Sequence, residues 1–145
     1  MKITINENLD IDEIEVVINC KKTNDEVLKM IASLNSLDCK IIGTKNGQTF
    51  LVAPDTILYI ESVDKKTFIY TEDDVFETVL RLYEFENTLS GDRFFRASKS
   101  TIINLSGVKS LRPDFGARLQ ITMNNGEKMT VSRQYSGAVK KRLGL

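Results

Sequence analysis

FFRASKSTIIN, residues 94–104, sets two aromatics and an arginine ahead of a compact Ser98-Lys99-Ser100 knot, and a β-branched run, Thr101-Ile102-Ile103, follows. Phe94 and Phe95 on one side and Thr101 to Asn104 on the other have the composition of strands. The polar residues between them are therefore read as a loop anchored at both ends by buried side chains. Outward from this point the same pattern repeats. Downstream, Val108 to Leu111 is strand-like, and Leu119, Ile121 and Met123 alternate before Asn124-Asn125-Gly126, a hairpin signal, after which Met129 and Val131 return. A closing helix is expected from Tyr135, Val139 and Leu143, four apart, with Gly144 as its stop. Upstream, Lys45-Asn46-Gly47 marks a hairpin between Ile41-Ile42 and Thr49–Val52, and Ile57–Ile60 and Thr67–Thr71 flank a turn at Asp64-Lys65-Lys66. A second turn at Glu72–Asp74 leads to Val75 and Phe76. Thr78–Leu89 is predicted to be a short helix, with Leu82, Phe85, Glu86 and Leu89 near helical spacing and Gly91 beyond. Residues 1–39 read as a small β–α extension, expected to serve dimerisation or regulation. Its strand is Glu15–Cys20, and its helix is capped by Thr23 or Asn24, with Asp25 and Glu26 in the first turn and Val27, Leu28, Ile31, Leu34 and Leu37 on one face for a core or dimer contact. Many short strands with few helices make the chain α+β, dominated by antiparallel sheet.

Composition narrows the function. The 145 residues are 41% hydrophobic, enough for one sizeable core. No apolar run reaches the ~18 residues of a spanning helix, and MKITINENLD lacks the apolar stretch of a secretory signal. Two cysteines, Cys20 and Cys39, are too few for a disulfide framework or a zinc site and read as buried apolar residues in a reducing cytosol. The expected localisation is cytoplasmic. There is no histidine, so Ser–His and Cys–His nucleophile pairs are excluded and no metal or cofactor is expected. The zero net charge conceals a split. Residues 1–90 hold 9 Lys and Arg against 17 Asp and Glu, a net of −8, whereas residues 91–145 hold 11 against 3, a net of +8. Such asymmetry suggests a polyanionic partner for the basic half, unless folding interleaves the two halves and cancels the field.

Three separated motifs, ILYIES (residues 57–62), FFRASKSTIIN and VSRQY (residues 131–135), occur in an order and spacing that resembles the LytTR DNA-binding domain of bacterial transcriptional regulators. The resemblance covers residues 40–145. It implies a mainly antiparallel β fold that binds double-stranded DNA through loops entering successive major grooves at promoter direct repeats, usually as a dimer, unlike a recognition-helix motif. Residues 1–39 are too short for the receiver domain that many members carry. The chain therefore resembles the stand-alone type, for which the family implies a small membrane-protein regulator as a further partner.

The resemblance places Lys99 in a base-contacting loop, where the commonest family pattern has His-Arg in place of Ser98-Lys99. It places Arg133 at the second major-groove position, where a guanidinium pairs bidentately with guanine. A further DNA contact aligns near Thr67. Arg96, Ser98, Ser100, Lys65, Lys66, Ser132 and Gln134 are expected on phosphates, with Ser132 also a candidate helix cap. The alternative for the hydroxyls is local backbone capping, and for Lys65-Lys66 a solvated turn. Arg112 and Arg118 flank a Pro-Asp-Phe-Gly turn without a decided role, and Lys140, Lys141 and Arg142 suit the final helix dipole. A regulator is the leading reading. A protein-interaction module or anti-regulator that keeps the fold without strong DNA binding is the alternative. An enzymatic Ser–Lys pair is disfavoured because neighbours on a strand point to opposite faces.

Overall fold

A computed structural model of the chain describes residues 1–37, 41–89 and 93–145. After helix α1 (Asp25–Leu37) come strands β1 (Ile41–Lys45), β2 (Gln48–Val52), β3 (Ile57–Val63), β4 (Lys66–Thr71) and β5 (Val75–Thr78). Helix α2 (Leu82–Thr88) leads to β6 (Phe94–Ser98), β7 (Thr101–Asn104), β8 (Val108–Asp114), β9 (Arg118–Met123) and β10 (Lys128–Val131), and helix α3 (Arg133–Arg142) closes the chain. All the strand pairs are antiparallel. Seven strands form one sheet in the order β2-β1-β5-β4-β3-β7-β6, and β10-β9-β8 form a second.

The large sheet is buried on both faces where β3 and β7 pair. One face packs Ile57, Ile60, Ile69 and Ile102 against Leu82 and Phe85 of α2 and Leu89 just after it. The other packs Leu58, Tyr59, Phe95 and Ile103 against Leu119, Ile121 and Met123 of the small sheet and Val139 of α3. Two-sided burial explains why Ile57–Ile60 is a continuous apolar run and why all four residues of β7, Thr101 and Asn104 included, are buried. The hairpin at Asn46-Gly47 carries both residues at left-handed φ, 52° and 75°, as an Asn-Gly two-residue turn requires.

Three expectations change. Glu15–Cys20 belongs to no strand, and Val16 and Val17 are exposed. β propensity alone does not make a strand without a neighbour to accept its backbone hydrogen bonds. Cys20 is accordingly exposed, not buried. The helix expected over Thr78–Leu89 is shorter. Thr78 is instead the buried end of β5, paired with Thr67, and the helix opens where the Arg81 N–H donates to Glu84 Oε2 at 2.7 Å. The cap of α1 is Asn24, whose Oδ1 accepts the Val27 N–H at 3.0 Å. Cys39, Gly91, the boundary at residues 39 and 40, and the side chain of Leu37 lie outside the described residues.

Candidate nucleic-acid interface

Three chain segments meet at one end of the large sheet: the Asp64-Lys65 turn between β3 and β4, the Lys99-Ser100 turn between β6 and β7, and the Ser132-Arg133 junction between β10 and α3. Backbone bonds sew them together. The Ser62 N–H donates to the Ser100 carbonyl at 2.8 Å, and the Ser132 N–H donates to the Ala97 carbonyl at 2.8 Å. The second bond exists because β6 bulges. Its register moves from Arg96↔Ile102 to Ser98↔Thr101, leaving Ala97 as the extra residue and its carbonyl available outside the ladder. The β3–β4 turn holds two non-glycine residues in the left-handed region, Asp64 at φ 50° and Lys65 at 66°. Arg81, which sequence reasoning passed over, donates from its guanidinium to the Lys65 carbonyl at 2.9 Å. An isolated cation in the acidic stretch between Glu72 and Glu86 was the available signal.

Lys65, Lys66, Lys99, Arg133 and Gln134 are all exposed, and none has a side-chain hydrogen bond or ion pair among the described residues. Their polar ends face solvent. Arg96, expected on a phosphate, is engaged within the protein. Its Nε donates to the Ser98 carbonyl at 2.8 Å, a terminal nitrogen donates to the Lys99 carbonyl at 2.6 Å, and the other pairs with Glu86. It braces the turn from behind. Ser98 and Ser100 hydroxyls lie 3.3 Å apart, and Ser98 Oγ accepts the Ser100 N–H at 3.2 Å, a local capping arrangement that leaves Ser100 exposed. Ser132 occupies the N-cap position of α3 without a side-chain cap; its carbonyl accepts the Tyr135 and Ser136 N–H groups.

Thr67 is corrected. It is 2% exposed, on the same inward face as Ile69, between Ser62 and Thr78 of the adjoining strands. A DNA base cannot reach a side chain held inside the sheet. Strand alternation was the signal, since residues 67 and 69 share a face. Arg112 donates to Gln120 at 2.6 Å, and Arg142 donates to the Phe94 carbonyl at 2.6 Å, so the latter ties α3 to β6.

Away from these turns, Tyr59 and Tyr70 stack with ring centroids 4.3 Å apart. Burial, then the negative charge of Glu127, pushes the Tyr59 phenol up to about 12, and burial likewise raises Tyr70. Both rings therefore serve as neutral packing groups beneath the two sheets. Among the described residues, no group of three or more His, Cys, Asp or Glu is placed to hold a metal, and no helix is long and apolar enough to cross a membrane.

Comparison with known proteins gives a consistent picture. Residues 47–144 match the model of the LytTr DNA-binding domain. A solved LytTr DNA-binding domain from Bacillus cereus superposes with a TM-score of 0.71 at 30% identity, covering 74% of this chain and 99% of that one. The sensory transduction protein LytT of Enterococcus faecalis is 30% identical over 96 residues, which are 66% of this chain and 40% of that protein's length. A Staphylococcus aureus protein named as an uncharacterized HTH-type transcriptional regulator is 26% identical over 100% of this chain and 99% of its own. Here strands separate α1, α2 and α3, and the described residues contain no helix-turn-helix.

Proposed function

Because this chain belongs to the LytTr DNA-binding domain family, we propose that it is a DNA-binding transcriptional regulator that reads duplex DNA with turns instead of a recognition helix. The observation that carries this reading is the gathering of unpaired, exposed Lys65, Lys66, Lys99, Arg133 and Gln134 at one end of the sheet, on turns bonded to each other through the backbone. Turn residues enter successive major grooves of a promoter direct repeat, and Lys99 and Arg133 read base edges. Lys65, Lys66, Ser100, Ser132 and Gln134 hold phosphates, which position the protein without specifying sequence. Ser98 and Arg96 shape the Lys99 turn, and Thr67 fixes the neighbouring hairpin from inside the sheet. Residues 1–37 serve association with a second copy on DNA. Supporting this role, Ile14, Val16, Val17, Leu28 and Ile31 are all exposed there, and Leu28 and Ile31 stand three apart on α1.

Fluorescence anisotropy on a duplex from upstream of the protein's own gene, beside a scrambled duplex and across a salt series, tests the reading. The expected result is preference for the natural duplex with affinity falling steeply as salt rises. Absence of binding to either duplex at low salt would overturn it and favour a protein-interaction module on the same fold.

A further inference from the structure

The β8–β9 hairpin ends in a turn, Asp114-Phe115-Gly116-Ala117, that holds a large aromatic in open solvent. Phe115 is 92% exposed. A single exposed apolar side chain is ordinary on a protein surface; the construction around this one is not. Gly116 and Ala117 both take left-handed φ, 72° and 61°, a conformation that an alanine adopts at a cost. The Phe115 N–H is capped by Asp114 Oδ1 at 2.8 Å. The buried Ser136 hydroxyl of α3 lies 2.8 Å from the Ala117 carbonyl and 3.1 Å from the Arg133 carbonyl, so one hydroxyl joins this turn to the residue proposed to read bases. The strand register agrees. Pro113 and Val131 both sit opposite Leu119, which brings the turn and the start of α3 to the same end of the small sheet.

Charge completes the surface. Arg112 and Arg118 flank the aromatic in sequence, Arg118 is exposed with no side-chain partner among the described residues, and the adjoining acid, Asp114, has an oxygen on the Phe115 N–H. A protruding ring between cations suits a groove whose walls are deoxyribose and whose rims are phosphate.

We propose that the Phe115 turn is an additional DNA contact, with the ring packed on the duplex and Arg118 on a flanking phosphate. This rests on the regulator reading above. The chain has no tryptophan, so Phe115→Trp makes a single-tryptophan reporter in the full-length protein, while anisotropy of a labelled duplex reports binding independently. On saturation with the natural duplex, the emission should be quenched or shifted and become shielded from acrylamide. Phe115→Ala should weaken binding roughly ten-fold, the loss expected when an aromatic side chain is no longer buried. Arg118→Gln should lower the salt slope by about 1. Emission and acrylamide access that stay unchanged while anisotropy shows full binding would overturn the proposal and leave the tip to a protein partner. A wild-type protein that binds no duplex would instead bring down the regulator reading itself, and this contact with it.

Discussion

Among single residues, Arg133 and Arg96 separate two uses of the same guanidinium. Arg133 is exposed and unpaired, so Arg133→Ala should leave thermal stability within about 0.5 kcal/mol. The proposed bidentate contact predicts that the same change removes roughly 1–3 kcal/mol of preference for the natural duplex over a scrambled one, read by competition binding. Arg96 is already spent on the Ser98 and Lys99 carbonyls and on Glu86. Arg96→Gln should therefore cost about 1–2 kcal/mol in denaturant unfolding and weaken DNA binding through a loosened turn. The slope of log affinity against log salt should stay as in the wild type; a slope lowered by about 1 would show that Arg96 meets a phosphate after all. Sequence could not tell these two arginines apart. Both lie within two residues of a serine near the end of a strand, and the structure turns the Arg96 side chain back onto the Ser98 and Lys99 carbonyls of its own loop. Thr67 differs, because its burial was legible in the alternation with Ile69.

Elements were legible where local chemistry and tertiary pairing agree. The Asn46-Gly47 and Asn125-Gly126 turns fix their hairpins from two or three residues, and the apolar run at residues 57–60 and the β-branched Thr101-Ile102-Ile103 announce β3 and β7. Legibility failed where the two disagree. Residues 78–89 carry helical spacing, yet Thr78 gains a ladder partner in Thr67 and is drawn into β5. Glu15–Cys20 has strand composition and no edge to join. Gly43 shows how closely elements approach. A Cβ there would lie 2.6 Å from the Phe76 Cβ and 3.3 Å from Val52. Gly43→Ala should consequently destabilise by about 1–3 kcal/mol through overpacking between β1, β2 and β5, measured as a lower denaturant midpoint with an unchanged m-value.

For the whole molecule, the −8 and +8 halves lie side by side: β2, β1, β5, β4 and β3 come from the acidic half, and β7, β6 and the small sheet come from the basic one. The charge split of the sequence therefore carries over into the fold, and Lys65 and Lys66 are cations of the acidic half whose turn, after β3, adjoins the turn of the basic half between β6 and β7. Association through residues 1–37 predicts concentration-dependent dimers in sedimentation. Leu28→Asp combined with Ile31→Asp should yield monomers with the melting temperature of the β core retained; dimers that persist would place the contact elsewhere.

The Ser132 N–H bond to the Ala97 carbonyl also makes the molecule a ruler. Lys99 and Arg133 are mounted two residues and one residue away from that bond, so neither can advance along a groove without the other. Each base pair adds about 3.4 Å and roughly a tenth of a turn to a duplex. Under the proposed reading, an operator with one base pair inserted between the positions assigned to Lys99 and Arg133 should therefore lose selective binding altogether, instead of paying the smaller cost of one mismatched base. Gel-shift comparison of the inserted and point-substituted operators measures how stiff the ruler is.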